Sequence, residues 1–291
     1  MKRSTLEKRT RISNDIMFYI YTHIDTDINL DELARDLGID RFYMQKTFKE
    51  IFGRNIYESI KSIRLQKASN LLLTNRYSTV SEIANACGYA SQTSFIRAFR
   101  ARFGMTPKVW RKGGYRAYAE TILPAPPLRE SRERFEKIRP EIVKVPDIPA
   151  YYIRHRGYDD TIAQSWQKLQ TWVYRHDIRN GRYIALLHDN PAVTPPAECH
   201  YVACVTDEEG KVDPREQRLP NFVISGGVYA RFHVTGEKGE FPEFVRWVYH
   251  EWLPKSEYET TTKPPYAVCK KNGYLSPDGS FEADFYLPVV Y

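Results

Sequence analysis

From Thr10 to Arg111 apolar residues recur three and four positions apart, with few β-branched alternations, which is the period of helices packed along one face. After Pro140 the texture changes to short alternating runs, such as Ala150-Tyr151-Tyr152-Ile153 and Tyr183-Ile184-Ala185-Leu186-Leu187, separated by helical segments and Pro or Gly turns. Between the two lie Gly113-Gly114, then Pro124, Pro126 and Pro127, and a charged run from Arg129 to Lys137 that resists burial. The pattern predicts a multidomain chain: an all-α domain over 1–112, a linker over 113–139 and an α+β domain over 140–291.

The helical half repeats itself. Ala34, Gly38, Met44, Phe48, Phe52 and Gly53 recur as Ala84, Gly88, Phe95, Phe99, Phe103 and Gly104, at an offset of 50 that becomes 51 after the turn. In the first copy Leu30-Asp31-Glu32-Leu33 opens a helix, Gly38 ends it, and a second helix starts near Asp40. The apolar positions Met44, Phe48, Ile51 and Phe52 of that second helix leave Arg41, Gln45, Lys46 and Lys49 mostly outside. In the second copy Ser91 is the expected N-cap, Phe95, Phe99 and Phe103 form the packed face, and Gln92, Thr93, Ser94 and Arg97 stay exposed near the helix start. A short helix, a glycine turn and a second helix with such a face form the helix-turn-helix pattern, whose second helix enters the major groove. Gln suits adenine edges and Arg suits guanine, whereas Arg100, Lys108 and Arg111 fit phosphate contacts. A helix over Ile56 to Leu72 would separate the copies by roughly 25 Å, so one chain could read two half-sites as a monomer.

Charge sharpens this reading. The chain of 291 residues carries a net +7, but residues 1–112 hold 20 Lys and Arg against 11 Asp and Glu, a net of +9, and the remainder holds 23 against 25. A concentrated excess points to a polyanionic partner, double-stranded DNA. No apolar run is long enough to span a membrane, and Met1-Lys2-Arg3 leads into no signal-peptide core, so no membrane partner and a cytoplasmic location are expected. Cys87, Cys199, Cys204 and Cys269 are too scattered for a disulfide framework or a zinc pattern; Cys199-His200 with Cys204 would be half a metal site without its other half. Neither a metal nor a cofactor is expected.

The second copy, through Ile83-Ala84, Gly88-Tyr89, Ser91, Phe95, Arg97, Phe99-Arg100, Phe103-Gly104, Thr106-Pro107 and Trp110-Arg111, resembles the AraC/XylS-type transcription regulators over about residues 10–112. The resemblance implies base contacts by Phe42, Gln45 and Lys46 in the first copy and by Gln92, Thr93 and Arg97 in the second, with Arg41, Lys49, Arg100, Lys108 and Arg111 on phosphates. Lysine at 46, where relatives often carry arginine, weakens bidentate guanine reading there.

The second domain holds Trp166, Trp172, Trp247 and Trp252 and has little net charge. Tyr152-Ile153-Arg154-His155-Arg156-Gly157 precedes a helix with Trp166 and Trp172, and Ala230-Arg231-Phe232-His233 precedes one with Trp247 and Trp252, an internal echo that predicts two strand-helix-strand-strand halves with a cleft between them. These residues, with His188-Asp189-Asn190-Pro191, Gly226-Gly227-Val228-Tyr229, Glu251-Trp252-Leu253-Pro254 and Asp284-Phe285-Tyr286-Leu287-Pro288-Val289, resemble the GyrI-like, or SbmC-like, effector-binding domain. The resemblance implies a small molecule, often cationic or amphipathic, in an aromatic cleft with an acid near its floor; an amphipathic or aromatic effector is expected here, with the lining from Tyr152, Trp166, Tyr229, Trp247, Tyr266 and Tyr286. The family usually places an acid after an aromatic on a late strand. Here Tyr266 is followed by Ala267, so either the effector is neutral or anionic, or Glu251 or Asp284 supplies the charge.

Together these features predict a ligand-responsive transcription regulator, an activator that contacts RNA polymerase, and not an enzyme. A hydrolytic second domain, which some relatives invite, finds no nucleophile elbow, phosphate loop or Cys or Ser triad, and His155, His188, His200 and His233 fit structural roles. A protein-docking second domain would instead present a partner-sized apolar surface.

Overall fold

The computed structural model describes residues 3–122, 133–191, 193–213, 219–237 and 239–291. The proline-rich centre of the expected linker, Pro124 to Arg129, lies outside them. The chain forms two compact units, one of residues 1–69 and 78–108, the other of residues 70–77 and 109–291.

The first unit is helical: α1 (Arg3–Thr22), α2 (Leu30–Asp36), α3 (Arg41–Phe52), α4 (Ile56–Thr74), α5 (Val80–Ala86) and α6 (Gln92–Phe103), then the short turn α7 (Pro107–Val109). α4 is two residues longer than its sequence pattern suggests, and its end belongs to the second unit. Ile16, Met17 and Ile20 of α1, Leu33 of α2, Met44 and Phe48 of α3, and Ile60 and Ile63 of α4 share one buried cluster. A side chain such as Phe48, with no exposed surface, contributes roughly 1.5–3 kcal/mol by burial. Around α6, Phe95, Phe99 and Phe103 form a ladder, with ring centroids 5.5 and 4.5 Å apart. Arg64 of α4 reaches back to the α1–α2 loop, its Nε donating to the Ile24 carbonyl at 3.1 Å and its Nη2 to the Thr26 carbonyl at 2.6 Å.

In the second unit Trp110–Gly114 form a wide helical turn that continues into α8 (Tyr115–Ile122). Asn75 from the segment after α4 exchanges hydrogen bonds with Thr260: its Nδ2 donates to the Thr260 carbonyl at 3.1 Å and its Oδ1 accepts from the Thr260 N–H at 3.3 Å. The body is an antiparallel sheet of β1 (Glu141–Val145), β2 (Ile148–Arg156), β3 (Tyr183–Leu187), β4 (His200–Val205), β5 (Asn221–Ile224), β6 (Gly227–Glu237), β8 (Tyr266–Lys271) and β9 (Ser280–Val290), in the order β1-β6-β9-β8-β3-β4-β2-β5; β7 (Glu259–Thr260) pairs with β9 outside this order. Two halves, β2-α9-β3-β4 with α9 (Ile162–Arg175), and β6-α10-β8-β9 with α10 (Glu240–Trp247), meet where β3 pairs with β8. β1, which precedes the first half, pairs with β6 of the second, and β5, which precedes the second, pairs with β2 of the first. The sheet therefore has an approximate two-fold symmetry about the β3–β8 pair.

The sheet curls until its two edges approach. Gly226, just before β6, has its N–H on Asp147 Oδ1 at 2.6 Å, and a Cβ at this position would lie 2.6 Å from the Val145 carbonyl oxygen, so only glycine permits the approach. Alternate residues of each strand face opposite sides. On the side inside the curl, Tyr152, Ile184, Leu186, Val202, Cys204, Tyr229 and Tyr266 form a buried core. On the other side α9 lays Trp166, Leu169 and Trp172 against the sheet, and α10 lays Phe244, Val245 and Trp247.

Candidate nucleic-acid interface and ligand pocket

The two helix-turn-helix copies are built alike at the backbone. After α2 the Ile39 N–H donates to the Ala34 carbonyl at 3.0 Å, and after α5 the Tyr89 N–H donates to the Ala84 carbonyl at 2.9 Å, each across a glycine at positive φ, Gly38 (63°) and Gly88 (72°). Gly88 has a second reason to be glycine: a Cβ there would meet Arg64 Nη2 and the Ile24 carbonyl oxygen, each at 2.6 Å. The second helices are capped alike. Asp40 accepts from the Tyr43 N–H at 3.0 Å, Ser91 Oγ accepts from the Ser94 N–H at 3.2 Å, and Gly53 and Gly104 close the helices in the left-handed conformation.

These caps and cores fix which side chains remain outside. Met44, Thr47 and Phe48 of α3 and Phe95, Phe99 and Phe103 of α6 are buried, whereas Phe42, Lys46 and Lys49 of α3 and Gln92, Thr93, Arg97 and Arg100 of α6 are exposed. Gln45 is half-buried, Lys108 is exposed, and Phe42 is 75 % exposed, unusual for an aromatic ring with no partner to cover it. Two expected phosphate contacts are placed differently. Arg41 holds Asp31 with both carboxylate oxygens at 2.8 and 2.7 Å, so a phosphate would have to compete with an ion pair already made. Arg111 belongs to the second unit and is half-buried, with its Nε and Nη2 buried, so it offers a phosphate less than an exposed arginine would.

The structure does not gather the seven expected effector residues around one cleft. Tyr229, Tyr266 and Tyr286 do meet, with Tyr266 and Tyr286 stacked at 4.7 Å and Tyr229 edge-on to Tyr266 at 5.4 Å, but they belong with Tyr152 to the core inside the curl. Trp166 and Trp247 are buried beneath α9 and α10 on the opposite side. Glu251 pairs with Lys255 at 2.9 Å.

The pocket lies on the helix side instead. Its floor is a patch of small residues on three neighbouring strands: Ala185 of β3 is paired with Ala267 of β8, and Cys269 of β8 with Ala283 of β9. Small side chains at these positions leave space between the sheet and α10, about 60 Å³ in all. Its aromatic walls include Tyr158, Tyr201, Tyr274 and Phe241, with Tyr158 and Tyr274 both edge-on to Tyr201 at 6.0 and 6.1 Å. Tyr201 is held by Trp166, whose Nε1 donates to its hydroxyl at 3.0 Å, and Tyr158 donates to the Asp189 carbonyl at 3.0 Å. Burial pushes the Tyr274 hydroxyl and the Cys269 thiol up to about 12 and the Tyr201 hydroxyl well above its ordinary value, so these walls stay uncharged near neutral pH. None of these aromatic residues was among those expected from the sequence; the signal for them is the run of small residues at alternate strand positions opposite them.

Cys199 and His200 are engaged elsewhere: the Cys199 thiol donates to the Thr194 carbonyl at 3.6 Å, and His200 Nδ1 lies 2.8 Å from Asp189 Oδ2. Among the described residues no group of three or more His, Cys, Asp or Glu is arranged to hold a metal, and no helix is long and apolar enough to cross a membrane.

A paired helix-turn-helix unit and a two-fold sheet with an aromatic-walled pocket together define a class of DNA-binding transcription regulators. A model of the GyrI-like small molecule binding domain matches residues 139–290, and one of a helix-turn-helix domain matches residues 33–113. The chain belongs to the GyrI-like family and carries an AraC-type helix-turn-helix region in front of that domain. It is similar to the transcriptional regulator Rob of Salmonella typhimurium and to the right origin-binding protein of Escherichia coli, 24 % identical to each over 261 residues that cover 84 % of this chain and 84 % of each relative. Its front third is similar to the xylose operon regulatory protein of Escherichia coli, 36 % identical over 95 residues, which are 33 % of this chain and 24 % of that protein.

Proposed function

We propose that this protein is a cytoplasmic activator that reads two adjacent major-groove segments with α3 and α6 of one chain, and that a small molecule in the pocket between the sheet and α10 changes its affinity for DNA or its contact with RNA polymerase. The observation that carries the reading is the repeated geometry: two helices with matching glycine turns and side-chain caps, each presenting an uncovered face, in a unit that holds the excess positive charge. Base reading falls to Phe42, Gln45 and Lys46 and to Gln92, Thr93 and Arg97, and phosphate contacts to Lys49, Arg100 and Lys108. The aromatic pocket, small-floored and flanked by Phe241, Pro242 and Val245 of α10, supports the effector.

Selection of bound duplexes from a random pool by the full-length protein at physiological salt tests this. A bipartite site with its halves about one helical turn apart, bound by one chain, is the expected result. Binding that is blind to sequence and lost with salt would reduce the first unit to an electrostatic anchor.

A further inference from the structure

The pocket's polar groups favour one kind of partner. Asn272, in its wall, uses Oδ1 to accept the Tyr274 N–H at 3.0 Å. Only an oxygen can accept from that N–H, which settles the orientation of the amide and leaves Nδ2 as a donor. That Nδ2 is buried and has no hydrogen-bond partner. The Tyr201 hydroxyl already accepts from Trp166, so its own proton is available to donate. Among the described residues no lining residue is acidic, and the single charged one, Lys271, is a cation whose Nζ sits 2.8 Å from Asp278 Oδ2. Asp159 and Asp160 influence the nearby Tyr274 hydroxyl but lie outside the lining, and Asp159 is held by the Thr161 N–H at 2.8 Å and faces His155. The walls thus offer hydrogen-bond donors and apolar surface, without a carboxylate to replace the hydration of a cation. Tyrosine and phenylalanine faces can attract a cation, but the Lys271 ammonium opposes it and no carboxylate in the described lining reinforces them.

Resting on the reading of this pocket as the effector site, we propose that it takes an uncharged, compact apolar molecule carrying one hydrogen-bond acceptor, such as an aryl ketone, ester or amide, with the acceptor on the Asn272 amide. A space of about 60 Å³ is smaller than the ~150 Å³ cavity that takes up benzene, so a ring-sized ligand enters by widening the pocket or by extending beyond its mouth.

The test is titration of the full-length protein, by calorimetry and ligand-observed nuclear magnetic resonance, with four probes of matched ring size: acetophenone, ethylbenzene, benzoate and phenyltrimethylammonium. Acetophenone is expected to bind tightest, about tenfold more tightly than ethylbenzene, and phenyltrimethylammonium weakest. Asn272→Leu should close the gap between acetophenone and ethylbenzene; because the ranking in the unaltered protein decides by itself, poor folding of this variant would not rescue the proposal. Tightest binding by phenyltrimethylammonium or benzoate overturns the ligand class while leaving the pocket as a binding site. Absence of binding by all four probes, or binding unaffected by the pocket-filling change Ala283→Leu, overturns the reading of the pocket itself.

Discussion

Trp166 on α9 donates its indole N–H to the Tyr201 hydroxyl on β4 at 3.0 Å, and both side chains are almost wholly removed from water. This bond ties the first helix to the sheet and sets the Tyr201 ring as a pocket wall. Tyr201→Phe keeps the ring and removes the acceptor, so the indole N–H is left buried and unpaired, at a cost of about 1–3 kcal/mol. Urea unfolding followed by tryptophan fluorescence should show that loss; a midpoint unchanged from the parent would mean that the bond contributes nothing.

Arg97 is exposed on α6 near its capped start, where a groove-reading side chain belongs. Arg97→Ala should weaken binding to a selected duplex by about 1–3 kcal/mol and leave binding to random-sequence DNA nearly unchanged, whereas Lys108→Ala should weaken both alike. Competition titrations at fixed salt distinguish the two patterns, and equal behaviour of the two variants would remove Arg97 from the base-reading set.

The Arg41–Asp31 pair withholds a cation from the first reading head. Asp31→Asn should release it, raising sequence-independent affinity and steepening its dependence on salt by about one counterion. A salt titration with random duplex reads this directly.

Glycines in the two turns should differ in their tolerance of a methyl group. Gly38→Ala meets nothing within 4 Å and suffers only from φ of 63°, roughly 1–2 kcal/mol. Gly88→Ala carries the same strain and also drives Cβ into Arg64 and the Ile24 carbonyl, so its unfolding midpoint should fall further.

Stability of the second unit should depend on His250. Burial, reinforced by Arg246 and Arg116 and opposed by Glu251, pushes this imidazole down to about 4, and its ring lies edge-on to Tyr115 at 5.1 Å. Because the folded value lies below the unfolded value near 6.5, the unfolded chain binds the extra proton. The stabilisation is therefore present above pH 6.5 and is lost as the pH falls toward 4, by an amount on the order of 3 kcal/mol. Denaturant midpoints of the parent should drop across that window, and those of His250→Leu should drop less.

Sequence pattern revealed the first unit in detail because its signals are local. Gly38 and Gly88 end helices by backbone conformation, and Asp40 and Ser91 begin them by side-chain bonds within three residues. Arg64 was not legible, because its role depends on Ile24 and Gly88, far from it in the chain. The two strand-helix-strand-strand halves were visible as an echo, but the pocket was not. Large aromatics drew attention to Tyr266 and Tyr286, whereas the neighbouring Ala267 forms the floor, and which of them faces the helices depends on strand order and parity. A cavity arises where volume is missing, so its marks are Ala185, Ala267 and Ala283 rather than any conspicuous side chain.

That alternation has a consequence for how such a protein can change over generations. On β8 the even positions Tyr266 and Val268 belong to the core inside the curl, while the odd positions Ala267, Cys269 and Lys271 line the pocket. Substitutions at the odd positions can reshape the pocket with the tyrosine core left intact. A single-residue insertion or deletion in the same strand would exchange the two sets and abolish both. Along this strand drift in composition is permitted and drift in length is not, so new pocket shapes can arise on an unaltered frame.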